Sequence, residues 1–440
     1  MTDPRRATPR TDTVLADPRL QRAVDRLGES IVKDVVASAL ASCRAGELAP
    51  DLVAEAALAE LPLSASSLRP VLNATGVIVH TNLGRAPLSD AAVEALGIAA
   101  GATDVELDLE TGRRGRRGRS AMAALAAAVP AAEAVHVVNN GAAALALAAC
   151  GLARGRSIVV ARGELVEIGD GFRIPELLES LGATLREVGT TNRVRLEDYE
   201  RAVDDSTAFV LKVHPSNFVV RGFTSSVEVA ALSTLAAPVV ADIGSGLLTP
   251  HPRLPDEPSA SVALAAGAAL VTASGDKLLG GPQCGLMLGR SALVEPLRRH
   301  PFARALRVDK LTLAALEATL AGPSPPVVQA LGRRPEGLLA RAESVATALS
   351  GAVAAEAGPS VAHVGGGGAP EVPLPSAAVR VPASLTAPLR TGSIPVVGYV
   401  DHGRLVLDLL AVDPRDDDAL IEAVRRAAKS LRQEPDRPCT

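Results

Sequence analysis

An α/β core with a mostly parallel sheet flanked by helices, preceded by a small N-terminal helical domain and followed by a smaller C-terminal α+β domain, is the architecture this sequence predicts. The first observation behind it is a repeated strand-then-helix alternation between about residues 70 and 320. Such alternation builds parallel sheets, because each helix carries the chain back to start the next strand in the same direction. The second is helical spacing of apolar residues before that region, and the third is a Pro-rich break, AGPSPPVV, after it. The domains are accordingly drawn at 1–65, 66–320 and 321–440.

In the first segment Leu20, Val24, Leu27, Ile31, Val35 and Leu40 recur at helical spacing, Gly46 breaks the pattern, and a second short helix starts at Asp51. Through Arg69 this segment holds nine Lys or Arg against ten Asp or Glu, so charge alone gives it no nucleic-acid character. LPLSASSLRP reads as a linker. The predicted strands of the core are AVHVV, SIVVA, ATLREV, TAFVLKV, APVVADIG and AALVTASG. Open sheets of this kind bind ligands in the loops beyond their C-terminal strand ends. In the last segment a helix leads to Gly365–Gly368, strand-like AAVRVP and VVGYVDHGRLVLDL follow with a hairpin tip at Asp401-His402-Gly403, and a final helix begins near Asp416.

Composition narrows the function. A chain of 440 residues that is 48% hydrophobic and 21% charged has the makings of packed domains, and a net charge of -4 argues against coating nucleic acid by bulk positive charge. Cys43, Cys150, Cys284 and Cys439 are scattered, with no CxxC pair, so neither a metal site nor a disulfide framework is expected. MTDPRRATPRTD has no apolar stretch behind its arginines, and the expectation is a cytoplasmic protein without a membrane span. The chain has forty arginines but only five lysines, namely Lys33, Lys212, Lys277, Lys310 and Lys429. Chemistry that needs an amine therefore has few candidates.

Three loops carry the chemical signals. AVHVV runs into Asn139, Asn140, Gly141 and Ala142, which open a helix whose first N–H groups and dipole favour an anion such as a cofactor phosphate; a plain helix cap is the other reading. APVVADIG ends with Asp242, a carboxylate suited to keeping a pyridine nitrogen protonated, or else a turn residue. VTASGDKLLGGPQCG sets Lys277 among glycines just after a strand, a setting that suits a Schiff base as well as it suits a surface lysine. In this order the three match a fold-type I enzyme dependent on pyridoxal 5'-phosphate (PLP).

Longer motifs extend the match. LNATGVIVHTNLGRAPLS at 72–89, LETGRRGRRG at 109–118, RGELVEIGDGFRIPELLESLGATLREVGTTNR at 162–193, KVHPSNF at 212–218, DIGSG at 242–246 and SGDKLLGGPQCG at 274–285 together resemble bacterial selenocysteine synthase, the L-seryl-tRNA(Sec) selenium transferase family. The resemblance implies a PLP-dependent transferase in which Lys277 holds the cofactor, with Asn140, Gly141, Ala142 and Asp242 as further cofactor contacts. It implies that L-seryl-tRNA(Sec) loses its β-hydroxyl to give a bound aminoacrylate, to which selenium from selenophosphate adds, yielding selenocysteinyl-tRNA(Sec). Arg85, Arg304 and Arg307 take the selenophosphate-binding role, with Arg304 and Arg307 on one face if their stretch is helical, and Asp276 a catalytic role beside the lysine. The helical domain would contact tRNA, and the assembly would be a homo-oligomeric ring of dimers, a decamer.

Other features stay open at this level. Arg113, Arg114, Arg116, Arg117 and Arg119 form a dense, glycine-spaced and mobile basic loop, for tRNA or for a neighbouring active site. His80, Thr190, Thr191, Asn192 and Arg193 lie in matched motifs without an assigned step. None of the seven aromatic residues follows SIVVARGE closely enough to stack on a cofactor ring, and Arg162 or Glu164 falls in that neighbourhood instead. The competing reading is a small-molecule PLP-dependent ammonia-lyase, whose relatives share GDK-GGPQ-like motifs but generally lack the helical domain and the RGELVEIGDGF run.

Overall fold

The computed structural model describes residues 7–433, so Cys439 lies outside the described residues. The chain divides into two compact units, Met1–Val71 and Leu72–Thr440.

The first unit is helical, with helices at Thr11–Leu15, Pro18–Leu27, Glu29–Ala45 and Val53–Glu60. Asp17 caps the second by accepting from the Arg19 N–H at 2.8 Å, with Pro18 at the first helical position where its missing donor costs nothing. The pattern from Leu20 to Leu40 is broken at Gly28, whose φ of 93° lies outside any right-handed helix. This break shifts the buried stripe of the long helix: Val32, Val36, Leu40 and Cys43 are buried while Ile31 and Val35 are only partly so.

The second unit contains two main sheets. The larger has seven strands in the order Ala134–Val138, Gly285–Gly289, Leu270–Ser274, Val239–Gly244, Thr207–Val213, Ser157–Ala161 and Thr184–Val188. The six strands expected from sequence are present, and the five from Leu270–Ser274 to Thr184–Val188 run parallel. Gly285–Gly289 was not expected. It is antiparallel to both neighbours and fully buried. Its GLMLG sequence reads as the tail of a glycine loop, and only its pairing on both edges makes it a strand.

The smaller sheet has five strands in the order Tyr399–Asp401, Arg404–Asp408, Leu374–Pro382, Glu356–Gly365 and Val77–Val79. His402 and Gly403, with φ of 46° and 73°, form the tight turn between the first two, as a two-residue hairpin of this hand requires. The far edge is supplied by Val77–Val79, parallel to Glu356–Gly365 through His363↔Val77 and Gly365↔Val79. This one pairing sets the HTNLGR motif beside the Gly365–Gly368 loop.

Glycines let the core strands approach the loops beside them. A Cβ on Gly285 would stand 2.0 Å from the Asn140 carbonyl oxygen, whereas one on Gly337, in the helix Pro335–Leu349, meets nothing. Gly285→Ala should therefore lower stability by about 1–3 kcal/mol through overpacking, and Gly337→Ala should raise it by roughly 0.5–1 kcal/mol. Urea midpoints followed by circular dichroism test this contrast; equal midpoints would contradict the packing described.

Candidate active site

A cleft of about 230 Å³ opens where the strands of the large sheet end. Its wall includes Asn140, Gly141, Ala142, Asp242, Lys277 and Arg85, gathered from four separate segments. Asn140 caps the helix Gly141–Ala148 by accepting from the Ala143 N–H at 2.8 Å. The cap and the anion site coexist here, since capping uses one first-turn donor and leaves the Gly141 and Ala142 N–H groups without an intrahelical acceptor. Gly141 is needed for the approach, because a Cβ there would fall 2.6 Å from Ser274 Oγ.

Lys277 follows the strand Leu270–Ser274, and its loop is tied down by Leu278 N–H donating to Ser245 O at 2.8 Å and Gly275 N–H to Cys284 O at 2.8 Å. Burial pushes the Lys277 amine below the ordinary lysine range, with Asp242 and Asp276 opposing that shift and Arg85 adding to it. Asp242 is shifted in the opposite sense: burial raises its carboxyl, and the Thr272 hydroxyl, donating at 2.8 Å, and the Lys277 charge pull it back. A cation brought beside Asp242 would favour its ionised form, and the residues present fit a ligand with a phosphate at one end and a basic ring nitrogen at the other. Cys284, behind the loop, has its thiol pushed up to about 12 by burial and is chemically quiet.

Arg85 and Asp276 form one unit. Arg85 Nη1 donates to Asp276 Oδ2 at 2.6 Å, and the Ala86 N–H donates to the Asp276 carbonyl at 3.2 Å, so side chain and backbone both join the two segments. Arg85 holds a φ of 66°, a left-handed conformation uncommon for a side-chain-bearing residue. It faces the cleft with 37% of its side chain exposed, whereas Asp276 is buried behind it.

Several wall residues escaped the sequence reading. Phe172 lines the cleft although it is far along the chain from Ala161, because Glu167–Ile168 pairs antiparallel with Phe172–Arg173 and folds the chain back. The GDG between VEI and FRI was the available sign of that turn. Arg162 and Glu164 do not occupy the place: Arg162 pairs with Glu187 at 2.9 Å, and buried Glu164 pairs with Lys212 at 2.6 Å while accepting from the Val213 N–H. His214 and Ser216, in the KVHPSNF motif, also line the cleft. Gly367, with a φ of 88°, packs so close to Lys277 that a Cβ would stand 2.6 Å from its Nζ.

The remaining arginines lie elsewhere. Arg304 is exposed on the short helix Pro301–Ala305, which ends before Arg307, so the two do not share a helix face. Neither lines the cleft in a single chain. Arg307 is instead fixed beside the Asn139 loop by a bridge to Val138 and lies 3.8 Å from Glu106. Glu106 also pairs with Arg114 at 2.9 Å and Arg117 at 3.2 Å. The basic loop is thus anchored rather than free, and among the described residues Arg113 and Arg116 make no ion pair. Of the unassigned motif residues, Arg193 lies over the Phe223 ring at 4.1 Å, Thr190 and Asn192 hold their own turn, and His80 accepts the Arg85 N–H through its carbonyl.

This geometry can be set against known proteins. Residues 71–413 match the family described as L-seryl-tRNA selenium transferase, and residues 5–44 match the one described as selenocysteine synthase N terminal. The chain belongs to the L-seryl-tRNA selenium transferase family. A protein of Geobacter sulfurreducens named L-seryl-tRNA(Sec) selenium transferase is 42% identical over 455 aligned residues, spanning 96% of this chain and 98% of that protein. A protein of the same name from Hyphomonas neptunium is 40% identical with the same coverage, and one from Moorella thermoacetica is 43% identical over 82% of each chain. Among solved structures, D-glucosaminate-6-phosphate ammonia-lyase superposes with a TM-score of 0.58 at 20% identity, covering 82% of this chain and 96% of that one. At that identity the likeness is one of fold, and family membership rests on the full-length sequence matches.

The Lys277 shift has a measurable consequence. Burial disfavours the ammonium, so the neutral, nucleophilic amine is present at lower pH than for a free lysine. In cofactor-free protein, modification of Lys277 by an amine-selective reagent should have its pH midpoint below about 10.4, the ordinary lysine value. Peptide mass spectrometry across a pH series reads this directly; a midpoint at or above that value would refute the desolvated setting.

Proposed function

We propose that this protein converts L-seryl-tRNA(Sec) to L-selenocysteinyl-tRNA(Sec) with selenophosphate as selenium donor and PLP as cofactor. The observation that carries the reading is a desolvated lysine, Lys277, sharing one cleft with a helix N-terminus at Gly141 and a buried-edge carboxylate at Asp242, in a chain related over its length to selenium transferases. The Gly141 and Ala142 N–H groups would hold the cofactor phosphate, Asp242 the ring nitrogen, and Lys277 Nζ the carbonyl carbon. When bound, PLP supplies the electron sink that allows a β-hydroxyl to leave serine. Phe172, on the wall, is the candidate for the ring face that the sequence left unfilled.

The protein's own groups do the rest. Lys277, when not holding the cofactor, would be a base able to take a proton at Nζ, with burial lowering its affinity for that proton below that of an ordinary lysine. Arg85 presents a guanidinium fork to the cleft, suited to the oxygens of selenophosphate, while Asp276 orients that fork and stands next to the lysine. Arg304 and Arg307 are proposed to serve the same anion. Their position outside their own cleft fits the proposed homo-oligomer, a ring of dimers with ten chains, in which one copy completes the site of another. The helical segment 1–65 is proposed to contact tRNA by shape, with Arg113 and Arg116 as further phosphate contacts, and the protein is placed in the cytoplasm.

The ammonia-lyase reading is kept as the alternative because of the shared fold. The helical unit and the match at residues 5–44 favour the tRNA substrate. Incubation with seryl-tRNA(Sec) and selenophosphate should place selenium on the tRNA, and Lys277→Ala should abolish both that product and borohydride-fixed cofactor on the chain. Deamination of a free amino acid or amino-sugar acid, with no selenium on tRNA, would make the lyase reading the correct one. Arg85→Ala should raise the KM for selenophosphate by about tenfold, equivalent to roughly 1.4 kcal/mol; an unchanged KM would remove Arg85 from the anion site.

A further inference from the structure

Glu257 is 6% exposed and lies outside every motif named above, yet it touches both the cleft residue His214 and the loop that packs on Lys277. Its Oε2 lies 3.3 Å from His214 Nε2 and accepts from the Ala369 N–H at 2.6 Å. Its Oε1 is buried with no partner among the described residues. A carboxylate so placed is retained at a cost, since desolvating it is unfavourable unless its bonds hold something in position.

Both contacts lead to the cleft. His214 lines it, and the His214 N–H donates to the Asp242 carbonyl at 2.9 Å, so backbone and ring are both fixed. With Nε2–H donated to Glu257, the ring's lone pair is at Nδ1, for which no described residue is a partner. Ala369 has a φ of 43°, strained for a residue with a Cβ, and follows directly on Gly365–Gly368. Gly367 of that loop packs against Lys277 Nζ. The Glu257 charge itself favours the protonated form of Lys277.

We propose that Glu257 is a positioning residue of the active cleft. One buried carboxylate holds the His214 ring as a hydrogen-bond acceptor at the wall and the glycine loop against Lys277, so that acceptor and amine keep a fixed relation to each other. The proposal deepens the reading of Lys277 as the cofactor lysine. His214 Nδ1 offers its lone pair to a hydrogen-bond donor of the bound ligand, and the donor keeps its proton throughout.

The test uses full-length wild type, Glu257→Gln, Glu257→Asp, His214→Gln and the Glu257→Gln/His214→Gln double variant. In cofactor-free protein, Glu257→Gln removes a negative charge and should move the pH midpoint of Lys277 modification downward, and Glu257→Asp should not. In the PLP-loaded enzyme, Glu257→Gln and His214→Gln should each lower kcat by about tenfold or more with little change in KM. The double variant should lose less than the product of the two single losses, because the two residues share the Glu257–His214 contact. An unmoved Lys277 midpoint in Glu257→Gln, or losses that multiply in the double variant, would overturn the proposal. If Glu257→Gln does not fold, His214→Gln decides alone, an unchanged kcat overturning it. A wild type that takes up no cofactor at Lys277 would instead overturn the function on which the kcat arm rests, leaving the modification midpoint to judge Glu257.

Discussion

The structure turns on holding one amine in a partly desolvated cleft. Lys277 stands beyond the end of a buried strand, and Gly367 packs on its side chain, near enough that a Cβ there would displace the amine. Desolvation lowers its proton affinity, while Asp242, Asp276 and Glu257 stop the shift from running further. Those carboxylates come from the large-sheet segments, whereas Gly367 and Arg85 follow strands of the smaller sheet, so the state of the amine depends on both sheets meeting correctly. The parallel pairing of Val77–Val79 with Glu356–Gly365 brings the glycine loop, the HTNLGR turn and the lysine to one place.

Arginine does the complementary work. Where a fixed positive charge is wanted the chain uses guanidinium groups pinned by carboxylates: Arg85 on Asp276, and Arg114, Arg117 and Arg307 around Glu106. The first pair faces the cleft, and its geometry is set by both backbone and side chain. The Glu106 group organises a loop which composition alone suggests is mobile. Its ion pairs are partly exposed to solvent and individually weak, so their effect is on the arrangement of the loop more than on the stability of the fold. Lys212, by contrast, is held by buried Glu164, which removes it from the small set of amines free to react.

Much of the fold was legible. Six of the seven core strands were expected, most of them from branched apolar runs, and the tight turn at His402-Gly403 and the helix cap at Asn140 have direct sequence signatures. What was not legible has physical causes. GLMLG became a strand because it is paired on both edges. Gly28 ended a helix that a hydrophobic count runs straight through, because its φ is positive. Phe172 reached the cleft by a hairpin that no spacing rule from Ala161 anticipates. Arg304 and Arg307 did not share a helix face because the helix is one short turn.

By itself the sequence determined the chemistry available: a strand-end lysine among glycines, a strand-end aspartate, a helix N-terminus for an anion, and motifs that place the chain in its family. These depend on local backbone and residue type, and local signals survive in a linear reading. Only the tertiary structure decided which side chains share the cleft and which are spent elsewhere. It drew in Phe172 and His214, set Arg85 on Asp276, and gave Arg162 and Glu164 to other partners. It also packed Gly367 on the Lys277 side chain and set Glu257 on His214 and Ala369. Such contacts are made by strand pairing and close packing between residues far apart in the chain, and neither is written in the spacing of any one segment.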